Sequence, residues 1–186
     1  MRMQRDIPSQ LIAAGVKHGN LRQMVDARMR ELGTKCRCIR CREMGLKGIR
    51  PSDAALKLAR LDYDSSGGKE VFLSFEDAQR DAMAGFLRLR MPGKPHRKEL
   101  QGGVALVREL HVYGRSVPIG LGGKRDEVQH RGLGAKLLAE AELIAAEEFG
   151  AEKIAVMSGV GAREYYRRFS YALNGPYMIK RIGATR

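Results

Sequence analysis

Gln129-His130-Arg131-Gly132-Leu133-Gly134 is the stretch of this sequence that decides the fold. It follows a loop rich in glycine and lysine, and it opens an alanine-rich run in which apolar residues recur at spacings of three and four. This pattern predicts a helix that begins at the stretch. The two glycines leave backbone N–H groups of the first turn accessible to an anion, which the helix dipole also favours. The sequence therefore predicts a diphosphate site, and an ordinary glycine-rich turn before a core helix is the alternative.

The spacing of the glycines separates this stretch from the better known phosphate loops. It lacks the Gly-Lys-Ser/Thr of a P-loop and the three glycines of the dinucleotide fingerprint. It resembles instead the Q/R-x-x-G-x-G/A motif of the GCN5-related N-acetyltransferase superfamily, which binds the pyrophosphate of acetyl-CoA there. The resemblance implies cofactor contacts at Gln129, His130, Arg131, Gly132, Leu133, Gly134 and Ala135.

Composition and charge limit the classes of protein to consider. With 186 residues and 44% apolar content, the chain is expected to fold around one sizeable core. No apolar run approaches the ~20 residues that span a bilayer, and the first residues form no hydrophobic signal segment. We therefore expect a cytoplasmic protein with no membrane partner. The net charge of +13 indicates a polyanionic partner, with nucleic acid favoured over a merely soluble basic surface.

All three cysteines lie together, at Cys36, Cys38 and Cys41. Three thiolates within six residues suit a tetrahedral metal better than a disulfide framework, so we predict a zinc site with His18 as the fourth ligand. Unligated or partly oxidised cysteines are the alternative, and an iron–sulfur cluster is disfavoured because it usually needs four cysteines. A helix capped by Asn20 precedes the cluster. We predict two domains, a helical zinc-binding segment at residues 1–46 and an acetyltransferase domain at residues 47–186.

Alternating apolar residues predict strands that are mostly joined by hairpins. The strands expected to be adjacent and parallel are residues 104–113 and 153–159, which a helical crossover connects. The predicted fold class is α/β (α+β), a mixed and mostly antiparallel sheet flanked by helices, as in the GCN5-related N-acetyltransferase fold. The other predicted elements are strands at 55–61, 70–76 and 82–90, a helix at 162–169, and a hairpin of 171–173 with 177–179.

Whole phrases of the sequence show a closer resemblance. The phrases are Arg5-Asp6-Ile7-Pro8, His18-Gly19-Asn20-Leu21-Arg22, Arg108-Glu109-Leu110-His111-Val112-Tyr113-Gly114, Ser158-Gly159-Val160-Gly161, and Tyr165-Tyr166-Arg167 followed by Gly175-Pro176-Tyr177. They are similar to the C-terminal part of the Elongator catalytic-subunit family, over nearly the whole chain. That family joins a radical S-adenosylmethionine domain to an acetyltransferase domain and builds the carboxymethyl group on the wobble uridine of tRNA.

The resemblance implies tRNA as a partner and a radical domain or partner chain for the full reaction. No cysteine lies outside positions 36–41, so we expect no iron–sulfur cluster and no radical step from this chain alone. The chain corresponds to the linker and acetyltransferase half, as an excised part or as a standalone protein. Ser170 stands where the family pattern usually has a glycine, a position that often ends a helix in a left-handed conformation.

The resemblance also assigns roles in the reaction. Tyr165 or Tyr166 would donate a proton as the coenzyme A thiol leaves. Glu109 and His111 share one face of their strand, and one of them would act as the base or orient a water molecule. The backbone of Leu110, His111 and Val112, extending to Tyr113, would contact and polarise the acetyl carbonyl. For the tyrosines the alternative is core packing, and for Glu109 it is a salt bridge. Candidate phosphate contacts are Arg37, Arg40, Arg42, Lys94, Arg97 and Lys98.

Two functions remain in competition on the sequence. The first is an acetyl-CoA-binding acetyltransferase domain with tRNA-stimulated acetyl-CoA hydrolysis or acetyl transfer. The second is a standalone N-acetyltransferase that acts on a protein lysine or a small amine. The cysteine cluster and the basic charge favour the first, because a minimal amine acetyltransferase needs neither. A zinc-stabilised RNA-binding module with a vestigial pocket is the non-enzymatic alternative, and the intact Gly132 and Gly134 argue against it.

Overall fold

The computed structural model describes residues 9–11, 13–15, 20–113 and 125–183, without the side chains of residue 52 and of residues 125–131. The chain divides into two compact units, Met1–Cys41 and Arg42–Arg186. The predicted division between residues 46 and 47 stays a prediction. His18 lies outside the described residues, as does the loop at 114–124.

The first unit contains helix α1 (Leu21–Glu31). Helix α2 (Ile39–Arg42) begins in the last residues of this unit. The helix predicted after Asn20 is thus confirmed, although the Asn20 side chain makes no capping hydrogen bond. Gly33, with a φ of +65°, directly follows the helix, in agreement with the predicted stop. No residue of α1 is buried, and Met24 and Val25 on its apolar side are exposed.

The second unit is built on one seven-stranded sheet in the order β1-β2-β3-β4-β5-β7-β6. Every neighbouring pair is antiparallel except β4 and β5, which are parallel. This confirms the predicted mixed, mostly antiparallel α/β class. The strands are β1 (Lys57–Ser65), β2 (Gly68–Asp77), β3 (Ala82–Met91), β4 (Val104–Val112), β5 (Lys153–Val156), β6 (Ala172–Asn174) and β7 (Tyr177–Arg181).

Helix α3 (Arg125–Glu147) makes the crossover from β4 to β5 and packs on one face of the sheet, which we call the helix face. Its apolar stripe is buried as the sequence predicts, with Leu137 at 0% and Ile144 at 2% exposure. These side chains pack against Leu73, Leu87 and Val107 of the central strands. Helix α4 (Arg163–Arg167) adds Tyr165 and Tyr166 to the same cluster. None of the described helices is both long and apolar enough to cross a membrane.

The prediction that α3 begins with the stretch 129–134 is wrong. The helix begins at Arg125, so residues 129–134 lie after its first turn. Each residue added to an existing helix gains one backbone hydrogen bond, and two glycines lower helix stability without stopping its propagation. The amides of Gly132 and Gly134 are therefore not among the first-turn N–H groups that a helix leaves without an internal partner.

Candidate functional site

The parallel strands β4 and β5 separate in the middle of the sheet. Val104–Val107 pair with Lys153–Val156, and the last hydrogen bond runs from Met157 N–H to Val107 O at 3.4 Å. Strand β4 continues to Val112 with β3 as its partner, through a bulge opposite Arg88 and Leu89. A gap therefore opens beside the second half of β4. The residues of this half, from Glu109 to Val112, are those to which the sequence analysis assigned roles in the reaction.

Two backbone amides of β4 point into this gap. Tyr113 N–H donates to Ala84 O of the β3 side at 2.8 Å. Because N–H directions alternate along a strand, those of Leu110 and Val112 point away from β3, towards the side where β5 has ended. The Tyr113 amide, which the sequence analysis included among the donors to the acetyl carbonyl, is therefore already bonded to Ala84. The amides of Leu110 and Val112 are the donors suited to an acyl oxygen.

Three predicted site residues from three elements meet at the gap. A methyl group added at Gly134 of α3 would lie 2.7 Å from the Tyr165 hydroxyl and 3.5 Å from Val112 Cγ2. Gly134 is thus the place where Tyr165 of α4 passes close over the helix backbone. By contrast, a methyl group at Gly132 would meet nothing within 4 Å, so space beside that residue is open. Leu133 is buried in a small cluster that includes Val112.

The remaining residues of the predicted pyrophosphate site are less defined. Gln129, His130 and Arg131 have a described helical backbone only, and Ala135 is half-buried. Their contact with a cofactor stays a prediction.

The two adjacent tyrosines of α4 have different surroundings. Tyr166 is buried at 7% exposure and makes edge contacts with the rings of Tyr165 and Tyr171 at 5.2 and 5.9 Å. Burial raises its pKa to about 12. Burial also raises the pKa of the half-buried Tyr165, against the opposing effect of Arg168. Both hydroxyls therefore stay protonated at neutral pH and can donate, and the hydroxyl of Tyr165 is the one placed against Gly134.

Glu109 and His111 lie on the face opposite the helices, together as the alternation predicts. The Glu109 carboxylate accepts a hydrogen bond from Arg88 Nη1 at 3.4 Å, and the His111 ring lies 5.1 Å from that of Phe86. Glu109 thus has the salt bridge that the sequence offered as its structural alternative. The proposed proton donors, Tyr165 and Tyr166, and the proposed bases, Glu109 and His111, lie on opposite sides of the sheet. Leu110 lies between the two groups. An acceptor and a cofactor can therefore approach from different faces.

Sequence reasoning assigned no role to Ser158 and Arg163, which follow β5. Ser158 Oγ and Arg163 Nε are buried and have no hydrogen-bond partner in the described part of the chain. Buried polar atoms are nearly always paired, so two unpaired ones after β5 fit a polar ligand in the gap. Ser158 belongs to a phrase that carried the family resemblance, whereas no sequence signal distinguished Arg163.

The cysteine cluster of the first unit brings three thiols together. The Sγ atoms of Cys36, Cys38 and Cys41 lie within 4.8 Å of one another, a set that three positions of a tetrahedral zinc site require. Arg22 Nη2 donates to Cys41 Sγ at 3.1 Å. This cation comes from α1. Arg42 instead binds Glu76 and Asp81 in the second unit.

The thiols of the cluster differ in acidity. Burial opposes ionisation of Cys38, but the Cys41 backbone N–H, the two neighbouring thiols and Arg22 together lower its pKa to about 7. Burial and the neighbouring thiols raise the pKa of Cys41 to about 11. One thiolate is thus available near neutral pH to begin metal binding.

Comparison with known proteins gives consistent relatives. The chain is 50% identical to Elongator complex protein 3 of Danio rerio and 51% identical to a tRNA uridine(34) acetyltransferase of Methanocaldococcus jannaschii, over 97% and 96% of its length. A solved structure, the archaeal Methanocaldococcus infernus Elp3 with an N-terminal deletion of residues 1–46, matches with a TM-score of 0.79 and 48% identity, over 97% of this chain and 43% of that one. No protein-family model matches.

The match has a defined extent. The chain spans 33% of the Danio rerio protein and 34% of the Methanocaldococcus jannaschii protein, and it corresponds to their C-terminal part. The chain is therefore a homologue of the C-terminal part of Elongator complex protein 3 and of the tRNA uridine(34) acetyltransferases.

Proposed function

We propose that this chain is the acetyl-CoA-binding acetyltransferase part of an enzyme that modifies the wobble uridine of tRNA, and that tRNA stimulates its hydrolysis or transfer of the acetyl group. The observation that supports this most directly is the gap between β4 and β5, bordered by Val112, Gly134 and Tyr165. The names of the relatives, tRNA uridine(34) acetyltransferase among them, agree with the proposal.

The residues around the gap fit acetyl-CoA as the cosubstrate. A thioester needs hydrogen-bond donors at its carbonyl oxygen, and the N–H groups of Leu110 and Val112 point to the gap. The unpaired Ser158 hydroxyl and Arg163 guanidinium offer further donors where the strands part. The open space beside Gly132 lets a ligand approach the backbone of α3, and cations at residues 124, 125 and 131 would neutralise phosphates.

The proposed chemistry divides between the two faces. When bound, acetyl-CoA supplies an activated acetyl group. Leu110 and Val112 donate hydrogen bonds to the carbonyl oxygen, and Glu109 or His111 accepts a proton from the attacking water or acceptor. Tyr165 gives its hydroxyl proton to the departing sulfur, which yields the free thiol. Tyr166 packs behind Tyr165 and fixes the orientation of its ring.

We include a structural zinc ion and an external radical step in the proposal. Cys36, Cys38 and Cys41 would bind the zinc, with His18 as the fourth ligand. Metal analysis should find about one zinc per chain, and Cys38→Ser should lose it; an equal zinc content in both proteins would contradict the assignment. We propose the radical chemistry and the cytoplasmic location for the longer enzyme. The residues of this chain do not carry out the radical step in this proposal.

The test is the release of coenzyme A thiol from acetyl-CoA, with and without deacylated tRNA, at low and moderate salt. We expect release that rises with tRNA and falls as salt increases, because phosphate contacts weaken with ionic strength. Release that ignores tRNA but responds to polyamines or basic peptides would instead indicate an ordinary amine acetyltransferase.

Two substitutions compare the tyrosines. Tyr165→Phe should lower thiol release by about 100-fold, the usual contribution of a general acid. Tyr166→Phe should lower it much less, because the buried ring is retained and only its hydroxyl is lost. A larger loss of thiol release in Tyr166→Phe than in Tyr165→Phe would assign the role of proton donor to Tyr166 instead.

Two glycines provide a matched pair for the cofactor site. Gly134→Ala should impair thiol release, since its methyl group meets the Tyr165 hydroxyl. Gly132→Ala meets nothing and should leave thermal stability intact, so any loss of acetyl-CoA affinity in this variant reports ligand contact at α3. Unchanged affinity in Gly132→Ala would place the pyrophosphate elsewhere.

A further inference from the structure

The sheet face opposite α3 presents a row of aromatic rings. Phe86 of β3 lies at its centre, stacked on Phe72 at 5.3 Å with 21° between the planes. The His111 ring lies 5.1 Å from Phe86 at 30°, and that of Tyr113 lies 6.2 Å away at 44°. His111 is exposed, and Leu61 of β1, paired with Phe72, is 61% exposed. We call this row of Phe72, Phe86, His111 and Tyr113 the aromatic row.

Arginines adjoin the aromatic row on the same face. Glu70, whose side chain is fully buried, binds Arg88 at 3.0 Å, Arg90 at 2.8 Å and also Arg108. Arg88 additionally contacts Glu109. The three guanidinium groups thus exceed the two carboxylates by one charge, and Arg88 and Arg108 keep 26% and 38% of their side-chain surface exposed. The buried carboxylate holds the arginines in place and leaves net positive charge beside the exposed His111 and the half-buried Phe72, while Phe86 between them is buried.

This combination fits unpaired nucleotides better than a protein partner. Every nucleobase has a face that stacks on an aromatic ring, and single-stranded nucleic acid is bound by such rings beside cations that contact phosphates. Protein–protein interfaces are also enriched in aromatic residues and arginine, so the charge of the chain has to decide between the two kinds of partner. The overall charge of +13 adds long-range attraction for a polyanion.

We propose that the aromatic row, with Arg88 and Arg108, binds a single-stranded RNA segment by stacking a base on His111 and Phe72 and by holding a neighbouring phosphate. This inference rests on the proposed function and deepens it, since it names the surface where the unpaired part of the RNA substrate docks. His111 directly precedes Val112, whose amide faces the gap, so a base stacked here lies on the acceptor side of the reaction.

The test measures the affinity of the whole chain for a fluorescein-labelled single-stranded RNA of about ten nucleotides, and for a duplex of the same length, by anisotropy at several salt concentrations. We expect tighter binding of the single strand. Phe72→Leu removes a ring but keeps apolar bulk, and it should weaken binding by about tenfold with an unchanged salt dependence. His111→Ala, at an exposed position that does not threaten folding, should act in the same way.

Arginine substitutions supply the matched control. Arg108→Gln should weaken binding and lower the slope of log affinity against log salt by about 0.7, the value for one phosphate contact. Arg60→Gln removes the same charge from the helix face of the same sheet, where Arg60 binds Glu148, and should leave affinity within about twofold. Equal weakening by both arginine substitutions, or unaltered binding by Phe72→Leu and His111→Ala, would overturn the proposal.

Failure of this inference is distinguishable from failure of the proposed function. Thiol release that tRNA stimulates equally in Phe72→Leu and in the unaltered protein would overturn the RNA surface and leave the acetyltransferase standing. RNA binding that maps to the aromatic row in a protein that releases no thiol would support the surface and overturn the acetyltransferase.

Discussion

The two faces of the sheet are stabilised by different physical means. On the helix face, apolar side chains of α3 and of the strands exclude water, with Leu73, Leu87 and Leu137 fully buried. On the other face, the most deeply buried side chain among the polar residues is Glu70, which is held by arginines and by the Tyr63 hydroxyl at 2.9 Å. The contrast indicates that apolar packing stabilises the helix face, whereas ion pairs around a buried carboxylate stabilise the opposite face.

Two effects should be the largest and similar in size, and the first of them comes from the helix face. Leu137→Ala removes a side chain that is 0% exposed, and we expect it to lower the free energy of unfolding by about 3 kcal/mol, from lost burial and a residual cavity. Leu61→Ala makes the same change at a 61% exposed position of the opposite face and should cost less than about 0.5 kcal/mol. Urea unfolding followed by circular dichroism measures both. Similar losses at the two positions would mean that Leu61 is covered in solution.

The buried carboxylate gives the opposite face a pH dependence. Burial opposes ionisation of Glu70, but hydrogen bonds from Arg90, Tyr63, Arg88 and Arg108 lower its pKa from 4.5 to about 2. Because the folded-state pKa lies below the unfolded one, the stabilisation is fully present above pH 4.5 and is lost as the pH falls towards 2. The loss over that window should be about 3 kcal/mol, at 1.36 kcal/mol per unit.

Glu70→Gln isolates this contribution. It should cost about 3 kcal/mol near neutral pH, because three partly buried guanidinium groups lose the carboxylate that they share. It should also remove the part of the acid destabilisation that comes from Glu70. Glu148→Gln is the matched change on the helix face, where the exposed carboxylate binds Arg60, and should cost much less. Unfolding curves between pH 2 and 7 that coincide for Glu70→Gln and the unaltered protein would show that the network stabilises nothing.

The same contrast explains how much the sequence could predict. The stripe of α3 and the hairpins follow from local periodicity, so Leu137 and Ile144 were correctly expected in the core. The αL position at Ser170 also followed from the resemblance, and its φ is +67°. The burial of Glu70 could not be predicted, since an alternating strand places a carboxylate on an apparently solvated face. Only the registers of β2, β3 and β4, with the bulge at Arg108, bring the arginines together.

The start of α3 and the division of the tyrosines were beyond local patterns too. The glycines indicated a helix that begins at the stretch 129–134, yet the helix begins at Arg125 and continues through both glycines. The sequence treats Tyr165 and Tyr166 as equivalent, and only the packing of Tyr166 against Tyr171 separates them.

The smallest effect compares one hydrogen bond on each face. Tyr63 donates to Glu70 at 2.9 Å and is 37% exposed, whereas Tyr171 donates to Glu142 of α3 at 2.8 Å and is 2% exposed. Tyr63→Phe should cost about 0.5 kcal/mol, because water can replace part of the lost bond at an exposed site. Tyr171→Phe should cost about 1.5 kcal/mol, since the Glu142 carboxylate keeps Lys180 but loses a donor that water reaches poorly. Urea unfolding of the two variants measures the difference directly. A larger loss of stability in Tyr63→Phe than in Tyr171→Phe would show that the carboxylate network on the opposite face is as closed to water as the core. The proposed difference between the two faces would then be wrong.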